Sequence, residues 1–122
     1  MIAKILVVDD EESIRGLAQI ILEDNGYRVV TAENGDAAIA IYQKEKPDLV
    51  LLDVLMPGMS GIDVCKQLKS QNSRNVPVVM FTVLNGDDDR RMAREARCDG
   101  YFLKPFSPED LVREVETHLR TA

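Results

Sequence analysis

Ile5-Leu6-Val7-Val8-Asp9-Asp10 and Leu49-Val50-Leu51-Leu52-Asp53 share one form, an unbroken apolar run stopped by an acid. A run that short and that uniformly apolar reads as a strand buried on both faces, because a strand with one wet face would alternate. Val76 to Phe81 repeats the form and is followed by Thr82, with Pro77 tolerable near its start. Tyr101-Phe102-Leu103 is a shorter version followed by Lys104, and Tyr27 to Ala32, carrying Val29, Val30 and Thr31, favours a further strand.

The segments between these strands have helical spacing. Ile14, Leu17, Ala18 and Ile21 recur on one face, and Asn25-Gly26 supplies a left-handed stop. Asn34 caps a helix through Ala37, Ala38, Ile41 and Tyr42, which ends before Pro47. Met56-Pro57-Gly58-Met59 breaks the pattern, and Ser60 with Asp63 suggests a capping box for a helix carrying Val64, Cys65 and Leu68. Residues 87–96 look helical but only weakly amphipathic, with Met92, Ala93 and Ala96 as the apolar set. Ser107-Pro108-Glu109-Asp110 starts a last helix that carries Leu111, Val115 and Leu119 on one face. Strand and helix thus alternate five times. The order predicts an α/β fold, a doubly wound parallel sheet with helices on both faces, in a single domain over residues 1–122.

Composition narrows the function. The 122 residues are 45% hydrophobic and 30% charged, enough for an ordinary core and an ordinary solvated surface. With 15 basic and 21 acidic residues the net charge is −6, which argues against direct nucleic-acid binding by this domain, since phosphate contacts need a basic face. Cys65 and Cys98 form no C-x-x-C pair, and Cys65 reads as a packed, reduced thiol. Met1-Ile2-Ala3-Lys4 runs directly into the first strand, unlike a signal peptide, and no stretch reaches the roughly 18 apolar residues of a membrane span. These readings predict a soluble cytoplasmic protein that does not engage a membrane.

In open parallel sheets, sites form beyond the carboxyl ends of the strands. That edge collects Asp9, Asp10, Glu11 and Glu12 from the first strand, Asp53 from the third, Thr82 from the fourth and Lys104 from the fifth. Each has a plain alternative. Acids suit a helix N-terminus, Asp53 suits a turn, Thr82 suits a cap, and most lysines are merely solvated. Together they make a crowd of carboxylates with a hydroxyl and an ammonium. Crowded carboxylates repel, and a divalent cation relieves them. Mg²⁺, a hard ion that takes carboxylate, carbonyl, water and phosphate oxygens, suits such a set. No zinc-type His and Cys cluster occurs, and His118, the only histidine, reads as a surface residue of the last helix. No glycine-rich phosphate loop follows the first strand.

Four motifs then coincide: V-V-D-D-E at 7–11, L-L-D-V-L-M-P-G-M-S-G at 51–61, F-T at 81–82 and Y-F-L-K-P-F at 101–106. In this order and on these strand ends they resemble the response-regulator receiver domain of two-component signal transduction, across essentially the whole chain. The resemblance implies a flavodoxin-like fold with five strands in the order 2-1-3-4-5 and five helices. It implies that Asp53 accepts a phosphoryl group from a phosphohistidine of a histidine kinase or phosphotransfer protein. Asp10, Asp53 and the Leu55 backbone carbonyl would bind Mg²⁺, with Asp9 aiding through water, and Thr82 and Lys104 would hold phosphoryl oxygens. By the same resemblance the Lys104–Pro105 peptide is cis, and Tyr101 matches the aromatic switch position. Thr82 and Tyr101 would move together and reshape the face of helix four, strand five and helix five. That face would control a downstream effector protein or output domain, a homodimer formed on phosphorylation being one option. Such a domain is not an enzyme in the ordinary sense, since it catalyses only its own phosphorylation and dephosphorylation.

The chain departs from the family pattern at Val83, where a very small residue is usual, and this crowds the phosphate side of the edge. Leu55 and Leu84, two after Asp53 and two after Thr82, offer no hydrogen bond to orient attacking water, which predicts a long-lived phosphoryl state. Arg90, Arg91, Arg94 and Arg97 form either a solvated face or a docking site for an acidic partner. A second copy could supply that partner through Glu109, Asp110 or Glu114. An aspartyl-phosphate hydrolase is a rival reading, although its usual D-x-D is replaced here by adjacent Asp9-Asp10. A phosphorylation-independent module is another, although such a module should have lost some of these residues.

Overall fold

The computed structural model describes residues 2–71 and 74–121. Its strands are β1 (Lys4–Val8), β2 (Arg28–Ala32), β3 (Leu49–Leu52), β4 (Val78–Thr82) and β5 (Gly100–Leu103). The helices are α1 (Glu12–Asp24), α2 (Gly35–Glu45), α3 (Gly61–Ser70), α4 (Asp87–Glu95) and α5 (Pro108–Thr121). All strand pairs are parallel and the sheet order is β2-β1-β3-β4-β5, the doubly wound arrangement that the alternation predicts.

Side chains alternate across the sheet and divide the core in two. Leu6, Val8, Val50, Leu52, Val78 and Met80 point to the α2–α3–α4 side, where they meet Ala38, Tyr42, Val64, Cys65, Leu68 and Ala93. Ile5, Val7, Leu49, Leu51, Val79 and Phe81 point to the α1–α5 side and meet Ala18, Ile21, Leu22, Leu111 and Val115. Both faces of β1, β3 and β4 are covered, which explains why these runs contain no polar alternation.

The local stops behave as their chemistry requires. Asn34 caps α2 by accepting the Ala37 N–H at 2.8 Å. Gly26 takes φ +90° after α1, a conformation that costs a side chain dearly. Ser107 accepts the Asp110 N–H at 3.1 Å at the start of α5. At α3 the Ser60 hydroxyl accepts the Asp63 N–H and donates to the Asp63 carboxylate, both at 3.3 Å. The expected box is therefore closed by side chains rather than through the Ser60 N–H.

Leu17, expected on the apolar face of α1, is half-exposed, because Leu22 fills the space against the sheet instead. Met92 is half-exposed as well, leaving Ala93 and Ala96 to seat α4. The fourth strand begins at Val78 rather than Val76, because Pro77 has no N–H to give the ladder. His118, expected at the surface, is only partly exposed: its side chain is 16% exposed and packs on Gly100, where any Cβ would collide with the ring.

Candidate functional site

Asp9 and Asp10 follow β1, Asp53 follows β3, Thr82 ends β4 and Lys104 follows β5, so the parallel sheet brings all five to one edge. Asp9, Asp53 and Thr82 are buried, while Asp10 is exposed. Asp9, Asp10 and Asp53 can each offer one carboxylate oxygen such that all three atoms lie within 4.8 Å of one another.

Lys104 bridges two of these acids. Its Nζ lies 2.5 Å from Asp9 Oδ2 and 3.4 Å from Asp53 Oδ2, with its side chain only 10% exposed. The ammonium also sits 4.8 Å from the centroid of the Phe81 ring, a weaker electrostatic support. The Lys104 N–H donates to the Thr82 carbonyl at 2.9 Å, which fixes the root of the side chain to β4. The Lys104–Pro105 peptide is cis.

Asp53 is held less completely than Asp9. Its N–H donates to Val8 O at 3.0 Å, and its Oδ1 accepts the Leu55 N–H at 3.3 Å. Burial pushes its carboxyl above the ordinary range. The Lys104 ammonium opposes that shift, Asp9 adds to it, and the Leu55 N–H lowers it again. Among the described residues the Leu55 carbonyl accepts no hydrogen bond, so it remains open for another partner.

The segment after β4 links the pocket to α4. Leu84 N–H donates to Thr82 Oγ1 at 3.3 Å, and the Tyr101 hydroxyl donates to Leu84 O at 2.7 Å. Tyr101 is half-buried, with the Arg90 guanidinium 4.6 Å above its ring. Val83, between Thr82 and Leu84, is 59% exposed, and Leu55, two residues after Asp53, is 51% exposed.

The arginine group is less uniform than its spacing suggested. Arg90 stacks on Tyr101, while Arg91 pairs with Asp88 at 3.0 Å and Glu95 at 3.7 Å. Arg97 lies past the end of α4 in a left-handed conformation (φ +68°). Two contacts of Asp9 escape a reading of strand ends: the Glu11 N–H on Asp9 Oδ1 at 2.9 Å and Arg15 Nη1 on Asp9 O at 2.7 Å. Glu11 is legible only as part of the acidic motif at 7–11, not as a backbone donor, and Arg15 carries no signal beyond its place near the start of α1.

The donor set fits a hard divalent cation. It is all oxygen, anionic in excess over its one ammonium, and partly open to solvent at Asp10. Fold and pocket together define a flavodoxin-like α/β domain with an acidic, lysine-bridged site at the topological switch edge. The chain belongs to the response regulator receiver domain family, whose model matches residues 5–116.

It is 46% identical over 117 residues to the alkaline phosphatase synthesis transcriptional regulatory protein PhoP of Bacillus subtilis (strain 168), covering 96% of this chain and 48% of that one. It is 45% identical over 119 residues to the probable transcriptional regulator ycf27 of Porphyra purpurea, covering 98% and 48%. The chain thus spans about half the length of the curated relatives it matches. Among solved structures, the chemotaxis protein CheY4 of Vibrio cholerae superposes with a TM-score of 0.93 at 34% identity, covering 97% of this chain and 99% of that one. The BeF3-activated N-terminal receiver domain of Klebsiella pneumoniae RstA gives 0.89 at 33% identity, covering 96% and 98%. Membership of this family places the chain in phosphorylation-based two-component signalling. No helix among the described residues is long and apolar enough to cross a membrane.

Proposed function

We propose that residues 1–122 form one cytoplasmic receiver unit, switched by Mg²⁺-dependent phosphorylation of Asp53. The observation that carries this reading is the single ammonium of Lys104 set between Asp9 and Asp53, with unequal reach to the two. A carboxylate oxygen of Asp53 attacks the phosphorus of a phosphohistidine on a kinase or phosphotransfer protein. The P–N bond breaks, its electron pair stays on the imidazole nitrogen, and an acyl phosphate forms on Asp53. Hydrolysis returns the carboxylate and inorganic phosphate.

Phosphoryl transfer of this kind depends mainly on positioning and charge neutralisation. Asp10, Asp53 and the Leu55 carbonyl would hold Mg²⁺, with Asp9 acting through water. When bound, the ion offsets negative charge on the transferred oxygens. Lys104 stands within reach of Asp53 and supplies a second positive charge from the protein itself. The Thr82 hydroxyl turns to donate to a phosphoryl oxygen and in turning gives up the Leu84 N–H that it accepts, and Tyr101 follows Leu84. The α4–β5–α5 face then changes shape for an effector, an output domain or a second copy of the chain. Charge reversal at Arg94 should weaken phosphate-dependent association.

The test is to incubate the protein with Mg²⁺ and a small acyl-phosphate donor and follow intact mass beside Asp53→Asn. A gain of one phosphoryl group that needs Mg²⁺ and is absent in the variant supports the reading. No gain, even from a phosphorylated kinase, refutes it and makes the Val83 methyls the first obstruction to examine.

A further inference from the structure

Asp9 and Asp10 share a peptide group, yet the structure holds them very differently. Every polar atom of Asp9 is engaged. Its N–H donates to Ala32 O at 3.2 Å, its carbonyl accepts Arg15 Nη1 at 2.7 Å, Oδ1 accepts the Glu11 N–H at 2.9 Å, and Oδ2 accepts Lys104 Nζ at 2.5 Å. The Asp10 carboxylate is exposed and, among the described residues, takes part in no hydrogen bond or ion pair. Its direction therefore depends on the backbone beneath it.

We propose that Arg15 is a positioning residue of the acidic pocket, pinning the Asp9–Asp10 peptide plane and so aiming the Asp10 carboxylate. The Asp9 oxygen and the Asp10 nitrogen lie in one rigid plane, so a partner on the first fixes the bond leading into Asp10. With its Cα fixed, a side chain lacking its own partners is restricted to a few staggered directions. Arginine suits the task because a charged donor on a carbonyl makes a stronger bond than a neutral one. It reaches the turn from α1, where it is half-buried.

A role as mere charge predicts the opposite sign. A guanidinium bonded to the Asp9 carbonyl at the margin of the pocket repels an incoming cation, so deleting it should tighten Mg²⁺ binding. A positioning role predicts that deletion weakens binding, because the pocket no longer presents its exposed acid in one direction. The inference rests on the proposed reading of this pocket as a Mg²⁺ site, and the experiment separates the two.

Mg²⁺ is titrated calorimetrically into the intact protein, Arg15→Met and Arg15→Lys, and the Mg²⁺ dependence of phosphorylation by an acyl-phosphate donor is measured for each. Arg15→Met should raise the Mg²⁺ dissociation constant about tenfold, the lower range for loss of a group that orients a metal ligand. Its rate at saturating Mg²⁺ should stay within about twofold of the parent, because the reacting groups remain. Arg15→Lys should recover part of the affinity. Arg15→Met binding Mg²⁺ as tightly as the parent, or more tightly, overturns the proposal. Parent protein that binds no Mg²⁺ instead overturns the reading of the pocket. Thermal unfolding in chelator identifies a variant that fails to fold, in which case Arg15→Leu, which like methionine offers no donor to the Asp9 carbonyl, is judged by the same criterion.

Discussion

Gly61 opens α3 directly against the backbone that carries Asp53. A Cβ built there would fall far inside contact distance of the Asp53 carbonyl oxygen and 2.8 Å from both the Asp53 carbonyl carbon and Val54 Cα. All three atoms are backbone, so no side chain can swing aside. Gly61→Ala must therefore push the start of α3 away, rotate the Asp53–Val54 peptide, or both. Overpacking of this kind costs about 1–3 kcal/mol. The Gly61 N–H bond to Val54 O, now 2.9 Å, would be strained or lost, adding about 1 kcal/mol. The expected loss is roughly 2–4 kcal/mol, or a fall in Tm on the order of 10 °C for a domain of this size. Gly16, inside α1, is the internal control: nothing lies within 4 Å of its built Cβ. Gly16→Ala should stabilise by about 0.5–1 kcal/mol through helix propensity alone. Urea unfolding of both variants measures the pair, and the acyl-phosphate assay should show slower phosphorylation only for Gly61→Ala. A Gly61→Ala protein within about 0.5 kcal/mol of the parent and phosphorylated at the parental rate would refute the steric reasoning.

Polar substitutions at both Leu55 and Leu84 should speed loss of the phosphoryl group about tenfold or more, since a positioned polar group typically contributes at least that to water attack. Decay of the phosphorylated mass measures this, and an unchanged or slower rate would sink the idea. Tyr101→Phe removes the 2.7 Å bond to Leu84 O and should cost about 1 kcal/mol in urea unfolding, with the fold intact by circular dichroism. Burial, chiefly, pushes the Cys65 thiol up to about 12, with the nearby Cys98 thiol next in effect. Iodoacetamide at pH 8 should therefore leave Cys65 unmodified in the folded protein and label it in urea. The same shift sets a pH dependence of stability. The folded thiol keeps its proton to higher pH than the unfolded one, whose ordinary value is 9.0, so its contribution is complete below pH 9 and lost as pH climbs towards 12. A urea midpoint that rises over that interval would contradict the assignment.

The strands were readable because parallel sheets buried on both faces leave no room for polar alternation, and the runs at 5–8 and 49–52 have none. The strand-end residues followed from the same fact: once the strands are parallel, Asp9, Asp53, Thr82 and Lys104 must share an edge. Contacts between side chains and backbone far along the chain were not readable. Lys69, at the end of α3, meets Asp99 at 2.5 Å, and the same Asp99 oxygen accepts the Val78 N–H at 2.7 Å. That three-way join of α3, β4 and β5 depends on distances no periodicity encodes. His118 and Gly100 illustrate the same limit, since a missing side chain on β5 decides that a polar residue of α5 is mostly buried. Arg15 escaped because a lone arginine near a helix start looks like solvated charge in any sequence.

Leu84 lies between the two ends of the proposed switch. Its N–H is taken by Thr82 and its carbonyl by Tyr101, so one peptide segment is gripped from the pocket on one side and from β5 on the other. If Thr82 turns its hydroxyl to an oxygen on Asp53, Leu84 loses its hold on β4, and the Tyr101 hydroxyl loses a fixed acceptor. Arg90, stacked on Tyr101, carries that loosening into α4. Among α4 residues only Ala93 is buried, so little apolar packing resists such a shift. The neighbouring α3 buries Ile62, Val64, Cys65 and Leu68, and is by the same reasoning the element that stays. Under the proposed switch, this asymmetry in burial, rather than any difference in helix propensity, would direct a change at Asp53 towards the α4–β5 face.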